Sequence, residues 1–101
     1  MGMSKEYAAR LLDERMADAA GGDIDALFDL GVVYASGSEV EMDFVQAHKW
    51  FNLAAARGDV RAQACRAELS VEMTSRQIAE AQRQARAWVQ ALSSMSSLQA
   101  A

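Results

Sequence analysis

Apolar residues recur at helical spacing in five stretches of this chain, and glycines or short polar segments separate the stretches. The predicted helices cover residues 5–20, 23–36, 43–57, 59–73 and 75–92. In each, apolar positions mostly three or four residues apart share one helical face. We therefore predict an all-α fold, with a single helical-repeat domain over residues 1–92. Residues 93–101 are small and polar without an apolar stripe, so we expect a frayed C-terminal tail there.

Capping residues indicate where three of the helices begin. Ser4 precedes the first helix and is a suitable N-cap. Asp43, followed three residues later by Gln46, is close to a capping box, and Thr74 with Gln77 completes one. Three glycines lie just past helical runs, where a left-handed residue commonly ends a helix: Gly22, Gly37 and Gly58.

A period of 36 residues organises the middle of the chain. Three small residues recur at that distance: Ala19, Gly22 and Ala26 return as Ala55, Gly58 and Ala62. A period of this size is typical of helical-repeat arrays. Gly31 lies inside a predicted helix, where glycine costs about 1 kcal/mol relative to alanine. We expect a neighbouring helix backbone to come close at that point.

One period also holds a set of small, aromatic and apolar residues at fixed spacing. They are Gly22, Ala26, Leu30, Gly31, Tyr34, Gly37, Val40, Asp43, Ala47, Trp50, Phe51, Ala54, Ala55 and Gly58. This set resembles a Sel-one-like repeat, a relative of the tetratricopeptide repeat. The resemblance implies a short right-handed α-solenoid of about five antiparallel helices, with these residues in structural roles. It implies that Trp50 and Phe51 pack in the core.

The match weakens after one full repeat. The period puts Arg66 where Leu30 stood and Ala67 where Gly31 stood, and the loop over 38–42 has no counterpart. We interpret the second unit as a degenerate capping repeat, since solenoid ends are atypical. The first helix is interpreted as an N-terminal cap over the core, with a docking element as the alternative.

By the resemblance, the first helix of each repeat lines a concave groove. The groove candidates lie on two such helices, one period apart: Asp25, Phe28, Asp29 and Val32, then Arg61, Cys65 and Glu68. Phe28 and Val32 have an alternative, which is to pack beneath the terminal helices, and the sequence favours neither.

Composition and charge narrow the classes of partner. The chain has 101 residues, a net charge of −4 and an isoelectric point near 4.8. This argues against nucleic acid, because phosphate binding needs a basic surface. No apolar run approaches the length of a membrane span, and the acidic N-terminus is unlike a signal peptide. With a single cysteine, which cannot form an internal disulfide, we expect a cytoplasmic protein without a membrane partner.

Candidate chemistry is sparse. His48, the only histidine, lies beside Lys49 and Asn52 and is predicted to be at the surface. Cys65 has no partner at a metal-binding spacing and is interpreted as a small apolar residue. No phosphate-binding loop or catalytic pair can be recognised. We expect no enzyme activity, no metal and no cofactor.

Two functions fit these observations. The first is a scaffold or adaptor module that binds a peptide or helix of another protein in the groove, as the resemblance implies. The second is structural. Because a solenoid unit needs neighbours to bury its apolar face, the chain would form a homodimer through its terminal helices without a separate ligand.

Charge differs between the two halves of the chain. Residues 1–56 hold ten acidic and four basic side chains, a net of −6, whereas residues 57–101 hold four and six, a net of +2. Chance clustering on a solvated surface is one explanation. The other is a groove that runs from acidic and apolar to mildly basic, where Arg61 grips a partner's carboxylate. Salt and Arg61→Glu would then weaken association.

Overall fold

Five α-helices form the part of the chain that the structure, a computed structural model, describes, which is residues 4–100. They are α1 (Lys5–Ala20), α2 (Ile24–Ser36), α3 (Phe44–Ala56), α4 (Val60–Glu72) and α5 (Ser75–Ala100). No strand occurs in this range, and the predicted all-α class with five helices is confirmed. The first four helices lie within one residue of the ranges expected from the sequence.

Side-chain caps begin the helices at the expected residues. Ser4 caps α1. Thr74 and Gln77 form a complete capping box: the Thr74 hydroxyl accepts from the Gln77 N–H at 3.1 Å, and the Gln77 side chain accepts from the Thr74 N–H at 2.9 Å. Asp43 accepts from the Gln46 N–H at 3.1 Å, but the Gln46 amide does not reach back. Each cap satisfies a backbone donor that the first helical turn leaves without a partner.

Two helix–helix turns repeat one another at the 36-residue period. Gly22 and Gly58 adopt φ angles of 96° and 98°, a conformation that glycine accepts at no steric cost. Asp23 and Asp59, which follow them, each donate a backbone hydrogen bond to the carbonyl five residues back, at 3.1 and 3.2 Å. Arg57 Nη1 donates to the Gly22 carbonyl at 3.3 Å. The two turns therefore have the same form and lie side by side.

Helix α3 is the element on which the others pack. It lies against α2, α4 and α5, while α1 packs on α2. The buried residues of α3 are Ala47, His48, Trp50, Phe51, Leu53, Ala54 and Ala55. Trp50 meets Trp88 of α5 edge to face, with ring centroids 5.4 Å apart, an arrangement that aromatic pairs prefer. Trp50 and Phe51 are each only 2% exposed, so both are core residues.

Phe51 packs directly on the backbone of α2 at Gly31. A Cβ atom at Gly31 would lie 2.5 Å from the ring carbons Cδ1 and Cε1 of Phe51, so only glycine leaves room for the ring. The Phe28 ring packs on the same Phe51 ring, with centroids 5.6 Å apart. The sequence suggested two backbones in close approach here. Instead, an aromatic side chain occupies the space that the missing Cβ leaves.

The second pair of helices, α4 and α5, packs differently from the first pair, α2 and α3. Helix α5 packs on α3, and α4 with α5 is not among the closely packed pairs. Arg66 is consequently half-buried and Ala67 is exposed, although they stand one period after Leu30 and Gly31, which are buried. The loss of the apolar signature at these positions follows from the loss of a helix to pack against them.

Helix α5 is longer than the sequence suggests. We expect its end at residue 92 and a frayed tail over 93–101, whereas the helix continues to Ala100; Ala101 lies outside the described residues. The expectation depended on the missing apolar stripe. This segment contains no proline or glycine, however, and adding residues to an existing helix is far easier than starting one.

Helix α1 covers one end of the core. Leu12 and Met16 pack against the core cluster, and Ala19 is fully buried. Arg15 Nη1 lies 2.6 Å from Glu39 Oε2 in the loop between α2 and α3, with both side chains partly shielded from solvent. These contacts are those of a capping helix.

Replacing Gly31 with leucine is expected to lower the free energy of unfolding by about 1–3 kcal/mol or more, because the new side chain must displace the buried Phe51 ring. Ala67→Leu is the matched control. It enlarges the side chain one period later, at an exposed position of α4, and should leave stability almost unchanged. Urea unfolding of both variants measures the difference. Equal midpoints for Gly31→Leu and wild type would contradict the Gly31–Phe51 contact.

Candidate functional site

An open groove of about 520 Å³ runs between α2 and α4, above α3. Its lining residues are Val32, Ala35 and Ser36 from α2, Phe51 from α3, and Cys65, Glu68, Leu69 and Glu72 from α4. Three of the groove candidates, Val32, Cys65 and Glu68, therefore meet in one place. Val32 is 41% exposed and is not covered by the terminal helices. Leu69 and Glu72 were missed, although they stand one turn after Cys65 and Glu68 on the same helical face.

Two further candidates, Asp25 and Phe28, contact a third, Arg61, beyond one end of the groove. The Arg61 guanidinium lies 2.8 Å from Asp59 and 2.9 Å from Asp25, which stands one full period earlier on α2. It also lies over the Phe28 ring, 4.2 Å from the centroid, within the range of a cation–π contact. Asp29 is exposed on α2, one turn before Val32. Asp25 and Arg61, which are one period apart on α2 and α4, therefore lie next to one another.

The Arg61 guanidinium already forms ion pairs with two carboxylates of the same chain, those of Asp25 and Asp59. Its hydrogen bonds hold the pKa of the Asp59 carboxyl below the usual value, and the Asp59 and Asp25 carboxylates hold the pKa of Arg61 above its own. Asp59 also caps α4 by accepting from the backbone of Arg61 and Ala62. The end of the groove that the sequence suggested to be basic therefore has a net charge of −1 once Asp25 and Asp59 are included. Sequence spacing does not reveal this, because the pairing depends on the positions of Asp59 and Asp25 around the guanidinium.

Cys65 carries a protonated thiol at neutral pH. Burial raises its pKa, and the nearby carboxylates of Glu68 and Asp59 raise it further, although Arg61 acts in the opposite direction. A reactive cysteine needs its pKa lowered by cationic surroundings. The surroundings of Cys65 are the opposite of such a setting, and its side chain is half-buried in the groove wall.

His48 is buried, and the surface position expected for it is wrong. It is 2% exposed and lies on the α4 side of α3, where Nε2 is 3.1 Å from the Ser70 hydroxyl. That hydroxyl donates to the Arg66 carbonyl at 2.8 Å, so Nε2 carries a proton and donates to Ser70. Nδ1 is buried without a hydrogen-bond partner. The polar neighbours of His48 in the sequence suggested an exposed side chain. Ser70, the hydrogen-bond partner of Nε2, is distant in the sequence.

The described residues form neither a metal site nor a membrane-spanning helix. Within residues 4–100 no three histidine, cysteine or carboxylate side chains gather closely enough to hold a metal ion. None of the helices in that range is both long enough and apolar enough to cross a bilayer.

No family model, curated protein or solved structure matches the chain. The resemblance to Sel-one-like repeats therefore depends on the residues of the sequence alone.

Buried His48 should make stability depend on pH. Burial, with a smaller contribution from the charge of Arg66, lowers the pKa of His48 below the value near 6.5 of an unfolded chain. Between those two pKa values the unfolded state binds the proton more readily, so stability is complete above about pH 6.5 and falls as pH decreases below it. Urea unfolding at a series of pH values between about 7.5 and 5.5 measures this slope.

His48→Gln is the control for that slope, since glutamine can still donate to Ser70 but does not titrate. The variant is expected to be less stable at every pH and to lose most of the pH dependence in this window. An identical slope in the variant and wild type would show that another group is responsible.

Proposed function

We propose that this chain is a non-catalytic interaction module of the Sel-one-like type, which binds a peptide or helix of another protein in the groove between α2 and α4. The observation that carries the proposal is the groove itself. Two helices stand one period apart on the same support, α3, and leave Val32 exposed beside the half-buried Cys65. A cytoplasmic location is part of the same proposal.

The groove has the character of a recognition surface for a short segment. Its floor and walls are mainly apolar, from Val32, Phe51, Cys65 and Leu69, and burial of apolar surface is the main source of affinity in such sites. Its walls are helices whose backbone hydrogen bonds are already made. A bound segment would therefore be recognised through its side chains, as in helix-in-groove complexes.

A peptide library tests the proposal. Phage displaying random segments of roughly 12 residues are selected on the wild-type protein, and enriched peptides are synthesised and titrated by calorimetry. Val32→Arg, which fills the groove with a charged side chain, should abolish binding of these peptides. Val71→Arg is the matched control, because Val71 is 84% exposed on α4 and does not line the groove. Peptides that bind both variants equally would contradict groove binding.

A homodimer through α5 is the second candidate, and exposed apolar residues favour it. Val89 is 46% exposed and Met95 is 56% exposed. Val89 also lines a shallow depression with Leu53 and Ala85, between α3 and α5. Burial of such a patch against its copy would stabilise a dimer.

Sedimentation distinguishes the two candidates. If α5 forms a dimer interface, the wild-type protein sediments at twice the mass of the 11.0 kDa chain, and Val89→Glu sediments as a monomer. If the groove is the functional surface, both proteins sediment as monomers at micromolar concentration.

A further inference from the structure

We propose that the segment bound in the groove is cationic, with lysine or arginine side chains flanking an apolar anchor. This rests on the proposed function and adds the chemistry of the partner to it. The inference comes from the charges around the groove, which differ from those that the sequence suggested.

The exposed rim of the α4 wall is acidic, whereas Cys65 and Leu69 make the less exposed part of that wall apolar. Glu68 and Glu72 line it one turn apart, and both are exposed. Asp29 is exposed on α2, one turn before Val32. Within residues 4–100 no lysine or arginine forms a salt bridge with any of these three carboxylates. They are consequently available to cations from a partner.

The Arg61 end does not offset this charge. Arg61 is bound to two carboxylates, Asp25 and Asp59, so that cluster has a net charge of −1. These hydrogen bonds use Nε and Nη2 of Arg61, so a partner's carboxylate could reach only Nη1 and would meet the two carboxylates already there. Arg66 keeps its charge, since its Nη1 donates to the neutral Asn52 at 2.6 Å, but this one cation is outnumbered by Asp29, Glu68, Glu72 and the net negative Arg61 cluster. The groove and its ends therefore repel anions and attract cations.

The apolar residues of the groove and the carboxylates at its rim have separate roles. Val32, Cys65 and Leu69 offer apolar contact to one or more side chains of the segment, which supplies affinity. The carboxylates at the edge increase the rate of encounter and reject acidic competitors, as charges at an interface rim commonly do. The fitting partner is thus an amphipathic segment with apolar side chains on one face and cationic ones beside them.

The test uses the peptides selected on wild type. We expect them to combine apolar residues with lysine or arginine. Glu68→Lys combined with Glu72→Lys should weaken their binding roughly tenfold or more, because attraction to the rim becomes repulsion. Asp13→Lys combined with Glu14→Lys is the matched control, since it makes the same change of charge at exposed positions of α1 and should have little effect. Affinity should also fall as salt rises from about 50 to 500 mM.

Three outcomes are possible, and each decides a different point. Cationic peptides that lose affinity for the Glu68/Glu72 double variant and keep it for the control support the inference. Peptides that bind wild type and fail on Val32→Arg, but are neutral or acidic or bind the Glu68/Glu72 double variant as tightly as wild type, overturn the inference and leave the proposed function intact. If no selected peptide depends on Val32, both are overturned. Urea unfolding of each variant confirms that it is folded.

Discussion

The contact between Phe51 and Gly31 determines where α2 and α3 lie relative to one another. Because glycine has no Cβ, the ring of Phe51 can sit directly on the backbone of α2, and the Phe28 ring of α2 packs against the same ring. The same ring forms the floor of the groove between α2 and α4. A core contact and a candidate recognition surface therefore depend on one side chain, and a change at Gly31 would disturb both.

Helix α3 distributes its side chains among three neighbouring helices. Phe51 packs on α2, Trp50 meets Trp88 of α5, and His48 donates to Ser70 of α4. The loss of any one contact would loosen a different helix. The contact of His48 with Ser70 differs from those of Phe51 and Trp50 because it buries a group that can be charged. Burial of a charge without a partner is costly, so the imidazole inside the core is neutral.

Local rules predicted the helices well because their signals are local. Capping side chains, glycines past helix ends and apolar spacing act over a few residues, and the bounds of the first four helices follow from them. That Gly31 makes room for a close neighbour was also predictable, because a glycine in a helix interior requires a reason, although the neighbour is the Phe51 ring and not the backbone that we expected. The 36-residue period further indicated which residues of α2 and α4 would face one another, and Asp25 with Arg61 shows this directly.

Features that depend on distant partners could not be predicted in this way. The burial of His48 depends on Ser70, and the pairing of Arg61 depends on the geometry of Asp59 at the start of α4. The position of α5 on α3, rather than beside α4, was not visible in its own apolar stripe, which fits either neighbour. The charge of the groove could not be predicted for the same reason, since formal charges along a sequence do not reveal which are already paired.

A double-mutant cycle between Gly31→Ala and Phe51→Leu measures the Phe51–Gly31 contact most directly. Leucine lacks the ring carbons that a Cβ at Gly31 would meet at 2.5 Å, so the alanine should cost much less in the Phe51→Leu background than in wild type. We predict a coupling free energy of about 0.5–3 kcal/mol from urea unfolding of the four proteins. Additive effects of the two substitutions would contradict the contact on which both the core and the groove depend.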